Sequence, residues 1–84
     1  MEYIIFKDPR LKYRKESFGG IAMLKFQTII LGKREFNFLE KFGKYKDYNL
    51  LNETEKKIAD KFLNFGILIK IDKSKAEELI KSKL

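Results

Sequence analysis

The chain contains no cysteine, no histidine and no tryptophan, and its 84 residues include one proline. Without thiols and imidazoles, disulfide bonds, Cys/His zinc sites, cysteine nucleophiles and histidine acid–base catalysis are all excluded. No apolar run approaches the roughly 18–20 residues that a membrane-spanning helix needs. The N-terminus, MEYIIFKDPR, has a short apolar stretch after an acidic residue, which predicts no signal peptide. A cytoplasmic protein that does not contact a membrane is therefore expected.

The residues that are present favour a folded domain with a basic surface. Hydrophobic residues make up 44% of the chain, with eight Phe and four Tyr, which is enough for one core. We therefore predict a single domain over residues 1–84. The net charge is +7, spread along the chain, and it favours a polyanion or an acidic peptide as partner. A lysine-rich composition would give the same surface without any partner.

The first half of the chain predicts a three-stranded antiparallel meander. A short apolar piece, Tyr3 to Phe6, comes before Pro9, and residues 11–16 then alternate apolar and polar as a half-buried strand does. Gly19-Gly20 is predicted to form the following hairpin turn, with Phe18 anchoring it in the core. Residues 21–26 and 28–31 are predicted as the second and third strands, separated by a break near Gln27.

The second half reads as helices with one further strand. Residues 33–43 have a helical apolar stripe that ends at Gly43, and residues 44–49 are either a loop or a brief second helix. The clearest helix lies between Asn52, a good N-cap with Glu55 three residues later, and Gly66. Residues 67–71 predict a strand. A capping pattern of Ser74 with Glu77 predicts a last helix at roughly 75–83, in a C-terminal segment of residues 73–84.

The predicted fold class is α+β. The strands come before a group of helices, which indicates a three-stranded antiparallel meander packed against a three-helix bundle, with an extra C-terminal helix. A helix that ends in glycine and is followed by a short strand is also typical of winged helix-turn-helix proteins.

No group of residues indicates catalysis. Five of the six candidate carboxylates lie in a helix first turn or alternate with lysines on solvated helix faces, and no phosphate-binding glycine motif occurs. We therefore expect a protein that is not an enzyme and that uses no metal and no cofactor. The carboxylates considered are Glu35, Glu40, Asp47, Glu53, Glu55 and Asp60.

Two kinds of binding remain. The third strand, TIIL, has no proline and no charge, so it could accept a further strand if it lies at a sheet edge. The pattern leaves open that it is instead a central, fully buried strand. Nucleic-acid binding would use Lys56, Lys57 and Lys61 on the clearest helix, but the acidic residues on the same side of that helix disfavour it.

One stretch resembles a known family. The run Arg14-Lys15-Glu16-Ser17-Phe18-Gly19-Gly20, followed by IAML, TIIL and a helix, resembles the PqqD-like family, whose members are RiPP recognition elements. It looks most similar to the peptide chaperones of radical SAM maturation systems, such as the mycofactocin chaperone. The later run LNETEKKIADKFLNFGILIKI also fits, so the resemblance covers about residues 10–71.

The resemblance implies a winged helix-turn-helix-like domain that binds a leader peptide and presents it to a radical SAM enzyme. The leader peptide would add as a strand along residues 28–31 and lie in a groove against the helix of residues 53–65. Ile29 and Leu31 would line the groove while Ile30 could face the core, and a C-terminal helix folded over the strand would fill it. A free edge would also allow a homodimer, and a winged-helix DNA-binding protein is the alternative. The implied binding residues are Thr28, Ile29, Ile30 and Leu31 by their backbone, and Lys57, Lys61 and Asn64 by their side chains.

Overall fold

The computed structural model describes residues 2–82, and the side chains as far as residue 78. It confirms the predicted α+β class: two three-stranded antiparallel sheets and three α-helices. The elements are β1 (Tyr3–Lys7), β2 (Lys12–Glu16), β3 (Gly19–Leu24), β4 (Gln27–Gly32), α1 (Lys33–Glu40), β5 (Lys46–Asp47), a 3₁₀ turn (Tyr48–Leu50), α2 (Glu53–Phe65), β6 (Leu68–Asp72) and α3 (Lys73–Ser82).

The first sheet has the strand order β2-β3-β4, which confirms the predicted meander. Its first turn was misplaced, because Glu16 pairs with Gly19 and the connecting residues are therefore Ser17 and Phe18. Phe18 is 48% exposed, so the prediction that it anchors the turn in the core was wrong. The second turn also differs: Leu24 pairs with Gln27, which makes Lys25 and Phe26 the connecting residues.

The two glycines are required for close packing within β3 rather than for the reversal itself. Gly19 has φ +145°, and a Cβ there would lie 2.3 Å from the carbonyl oxygen of Leu31. Gly20 lies under α1, where a Cβ would be 2.1 Å from the ring of Phe36. The Gly-Gly pair therefore lets α1 lie directly on the sheet, because a side chain at Gly20 would occupy the space of the Phe36 ring.

The second sheet has the order β5-β1-β6 and was not predicted. The N-terminal apolar piece becomes its central strand, and Tyr3 to Lys7 pair with Asp72 to Leu68 across the whole length of β6. Its pairing with β5 is limited to Ile4 with Asp47 and Ile5 with Lys46. Because β1 and β6 lie 60 residues apart in sequence, no local pattern could reveal this pairing.

The predicted caps of α2 are confirmed, whereas the predictions for the other helices differ from the structure. The first helix, predicted to end at Gly43, ends at Glu40 with Lys41 as its C-cap. The Asn52 side chain accepts a hydrogen bond from the Glu55 N–H, and Gly66 closes α2 with φ +80°, as predicted. The segment after α1 forms β5 and a single 3₁₀ turn, so the middle helix of the predicted bundle is reduced to one turn. At α3 the cap is Asp72 rather than Ser74, since its carboxylate accepts from both the backbone N–H and the hydroxyl of Ser74. The predicted helix segment also included residues 83 and 84, which lie outside the described residues.

Both sheets contribute to one core. Phe62 of α2, Leu39 of α1, Leu31 of β4 and Ile5 of β1 are fully buried in the same cluster. The described part of α3 packs on β1 and β6 of the second sheet, and Ala76 is buried there. Within residues 2–82, no helix is both long enough and apolar enough to cross a membrane.

Candidate functional site

The strand β4 lies at an edge of its sheet. Within residues 2–82 it pairs only with β3, so the alternative of a central strand is excluded for the described part of the chain. In a two-residue hairpin, the pair that flanks the turn is hydrogen-bonded, and the bonding then alternates along the ladder. Counting from Leu24 and Gln27, the bonded residues of β4 are Gln27, Ile29 and Leu31. The N–H and C=O groups of Thr28 and Ile30 therefore point away from β3.

The side chains of β4 face the opposite way from the prediction, in which Ile29 and Leu31 faced a groove and Ile30 could face the core. Ile29 and Leu31 are 9% and 0% exposed and belong to the core, whereas Ile30 is 69% exposed. The prediction that Ile29 and Leu31 line a groove was therefore wrong. One face of β4 is buried and the other is exposed, because α1 covers the face that carries Ile29 and Leu31. Thr28 and Ile30 are then the residues of β4 that offer both side chain and backbone to solvent.

The predicted binding residues of α2 have different environments. Lys57 and Asn64 are exposed, whereas the ammonium group of Lys61 lies 2.6 Å from the carboxylate of Glu35. The other oxygen of Glu35 accepts a hydrogen bond of 2.9 Å from the N–H of Gly32. Lys61 is therefore tied to the end of β4 through Glu35, and it is not a free cation.

A cleft of about 450 Å³ opens at the other end of β4. The rings of Phe26 and Phe65 line it, and Phe26 is fully exposed while Phe65 is 40% exposed. Arg10 and Lys25 supply two cations, against the single carboxylate of Asp8. The start of β4 thus leads into a space with an apolar wall and one excess positive charge. The remaining lining residues are Leu24, Gln27, Gly66 and Ile69.

Asp8 organises one wall of this cleft. Its carboxylate accepts a hydrogen bond of 2.8 Å from the backbone N–H of Arg10, and two more, of 3.2 and 3.1 Å, from the guanidinium group. The side-chain hydrogen bond from Arg10, supported by the backbone one, lowers the pKa of Asp8 below its ordinary value. Asp8 is therefore ionised at neutral pH, and it holds the Arg10 guanidinium at the rim.

The two-residue turn beside the cleft, Lys25-Phe26, is built from residue types that are uncommon in such turns. Lys25 has φ +55°, a conformation that glycine or asparagine would normally supply in a two-residue hairpin. The next residue, Phe26, exposes its entire ring at the tip. The turn thus departs from the residue preferences of two-residue hairpins and exposes an aromatic ring, and such departures are often functional.

The described residues form no metal centre, because no three of their Asp and Glu side chains come together as a ligand group. Comparisons of this chain with protein-family models, with curated proteins and with solved structures gave no match.

Sequence reasoning singled out the strand of residues 28–31 but left open whether it lies at an edge, and it did not find the cleft beside it. Phe26, Phe65, Arg10 and Lys25 come from three separate segments, and only the fold brings them together. The sequence held little signal for the turn itself, because Lys25-Phe26 is not one of the glycine-containing dipeptides that mark a two-residue hairpin.

Proposed function

We propose that this protein binds an extended, partly apolar and acidic peptide, which adds as a fourth strand to the free edge of β4. The observation that carries the proposal is the edge itself: β4 is uncharged along Thr28–Leu31, and the backbone groups of Thr28 and Ile30 point away from β3. Main-chain pairing of this kind supplies affinity, and the neighbouring side chains select the sequence.

The surroundings of β4 favour the proposed peptide chemistry. Ile30, Phe26 and Phe65 offer exposed apolar surface along the strand and at its start. The excess positive charge of the cleft and the net charge of +7 favour acidic residues and speed their encounter with the domain. Asn64 and Lys57 are exposed on α2 for further contacts.

The resemblance to PqqD-like proteins extends this proposal. On that view the meander, α1, α2 and β6 correspond to a winged helix-turn-helix-like domain, the peptide is the leader of a ribosomally made precursor, and a radical SAM enzyme receives it. The domain would act in the cytoplasm, without cofactor or catalysis of its own. The alternative, a winged-helix DNA-binding protein, would use α2 with Lys56, Lys57 and Lys61.

An ¹⁵N-HSQC titration of the labelled chain tests the proposal directly. The probes are the short peptide encoded nearest to its gene and, separately, a duplex DNA. The peptide is expected to shift the amides of residues 28–31 and of the cleft, with Thr28 and Ile30 shifting most. Shifts with DNA alone, centred on Lys56, Lys57 and Lys61, would replace the proposal by the DNA-binding alternative. Sedimentation at several protein concentrations shows whether a second copy occupies the edge instead.

A further inference from the structure

A second groove of about 300 Å³ lies between α1 and α2, and no residue of β4 lines it. Its apolar lining comes from Phe38 of α1 and Ile58 of α2, which are both half-buried against the core. The ring of Phe38 packs at 6.1 Å from that of Phe62 below it. The two helices thus leave an apolar strip that is only partly covered.

The rim of this groove is basic. Arg34, Lys41 and Lys46 line it, against the single carboxylate of Glu55, so the rim carries an excess of two positive charges. Glu55 is already used in the cap of α2, where its carboxylate accepts a hydrogen bond of 3.1 Å from the Asn52 N–H. The groove therefore favours a ligand that brings negative charge.

The three basic side chains of the rim also have no salt-bridge partner among the described side chains. Among the described side chains, none of Arg34, Lys41 and Lys46 forms an ion pair, whereas Arg10, Arg14, Lys61 and Lys73 all do. Of these three, and within the part of the chain that the structure describes, Lys46 alone contacts an aromatic ring: its ammonium lies 5.9 Å from the centre of the Phe42 ring. Cations that surround an apolar strip and outnumber the neighbouring carboxylates are complementary to an acidic partner surface.

The spacing along α1 and its C-cap indicates the shape of that partner. Arg34 of α1 and the C-cap residue Lys41 are seven residues apart, which is two helical turns or about 10 Å along the axis. Phe38 lies between them on the same side, and Ile58 faces it from α2. A helix with acidic residues two turns apart and an apolar stripe between them would match this pattern, as helices docked in grooves commonly do.

We infer that the α1–α2 groove docks an acidic amphipathic helix of a partner protein. A second copy of this chain is a poor occupant, because its net charge of +7 would be repelled by the basic rim. Duplex DNA would satisfy the cations but leave the apolar strip of Phe38 and Ile58 without a partner. This surface is separate from the β4 edge, so the inference does not depend on the proposed function.

The test uses a designed, fluorescently labelled helical peptide with leucines at helical spacing and glutamates flanking them. Two control peptides accompany it: the same composition in scrambled order, and the same stripe with lysine in place of glutamate. Binding is followed by fluorescence anisotropy, and the contact surface by ¹⁵N-HSQC shifts. The acidic amphipathic peptide is expected to bind and to shift residues 34–41 and 54–58, and the two controls are expected not to bind.

Paired variants of the chain make the test specific. Arg34→Glu with Lys41→Glu is expected to weaken binding of the acidic amphipathic peptide at least about tenfold. Lys12→Glu with Lys15→Glu, two exposed positions on β2, makes the same change in net charge and should leave binding within about threefold. Equal weakening by both pairs, equal binding of the scrambled peptide, or no binding of the amphipathic peptide at millimolar concentration would overturn the inference. Shifts of the same residues by duplex DNA but not by the peptide would overturn it as well.

Discussion

The ammonium group of Lys61 lies 2.6 Å from the carboxylate of Glu35, and this ion pair joins α2 to α1 at the end of β4. Burial of Glu35 acts to raise its pKa, but hydrogen bonds from Lys61 and the Gly32 N–H outweigh that effect and hold the pKa below its ordinary value. Lys61 therefore has a structural partner, and its role differs from that of the exposed Lys57.

Charge reversal should separate these two lysines. Lys61→Glu places a second carboxylate beside Glu35 and is expected to lower the free energy of unfolding by about 0.5–1 kcal/mol. Lys57→Glu, at an exposed position, should change it by less than about 0.5 kcal/mol. Urea denaturation measures both. A double-mutant cycle of Glu35→Gln and Lys61→Gln isolates the ion pair, because the glutamine oxygen can still accept from the Gly32 N–H. A coupling energy near zero would show that the ion pair contributes nothing.

Proline substitutions at neighbouring positions of β4 should have opposite effects. Ile29→Pro removes a hydrogen bond to β3 and is expected to cost at least about 2 kcal/mol of stability. Ile30→Pro removes an N–H that points away from β3, which an edge strand tolerates, so the domain should stay folded. Denaturation curves and peptide titrations of both variants check this. If Ile30→Pro binds the peptide as the wild type does, strand addition at this edge is ruled out.

The close approach of Gly20 to Phe36 predicts a size-dependent penalty. Gly20→Ala would push a methyl group into the ring and is expected to lower the free energy of unfolding by about 1–3 kcal/mol. Gly32→Ala is the matched control, because its φ is −73° and the nearest atom to a new Cβ is 3.7 Å away. Thermal unfolding compares the two. Adding Phe36→Leu to Gly20→Ala should cost less than the sum of the two single changes, since they act on the same contact.

The exposed ring of Phe26 predicts a loss of binding without a loss of stability. Phe26→Ser should leave the melting temperature within a few degrees, because the ring is fully exposed. It should weaken the proposed peptide about tenfold, which is typical for truncating an aromatic contact residue. Phe18→Ser, at the opposite hairpin tip, is the control and should bind normally. Similar binding by all three proteins would remove the cleft from the site.

The lowered pKa of Asp8 predicts acid sensitivity. Its pKa in the folded chain lies below the ordinary value of 3.8, so its stabilising contribution is complete above that value and disappears as the pH falls through the folded pKa. The free energy of unfolding should therefore decrease as the pH is lowered from about 5 to 2. In Asp8→Asn this decrease should be smaller but still present, because the pKa values of Glu35 and Asp72 are also lowered. Denaturation at a series of pH values measures the difference.

The sequence was sufficient where the determining interactions are local. The caps of α2 at Asn52 and Gly66 were predicted correctly, since a cap involves residues three or four positions apart. The meander was predicted from alternation and short connections, but its turns were misplaced by one or two residues. Alternation could not say which residues of β4 face the core, because that depends on the side of the sheet on which α1 packs.

By itself, the sequence determined the absence of thiol and imidazole chemistry, the α+β class, the uncharged strand of residues 28–31 and the best-capped helix. Tertiary structure decided that β1 pairs with β6, that β4 lies at an edge, that Lys61 forms an ion pair with Glu35, and that Phe26 and Phe65 line the same cleft. The physical reason is the distance along the sequence between the residues that interact. Composition, capping and periodicity are encoded within a few consecutive residues, whereas pairing partners, edges and clefts arise from contacts between segments that only the folded core brings together.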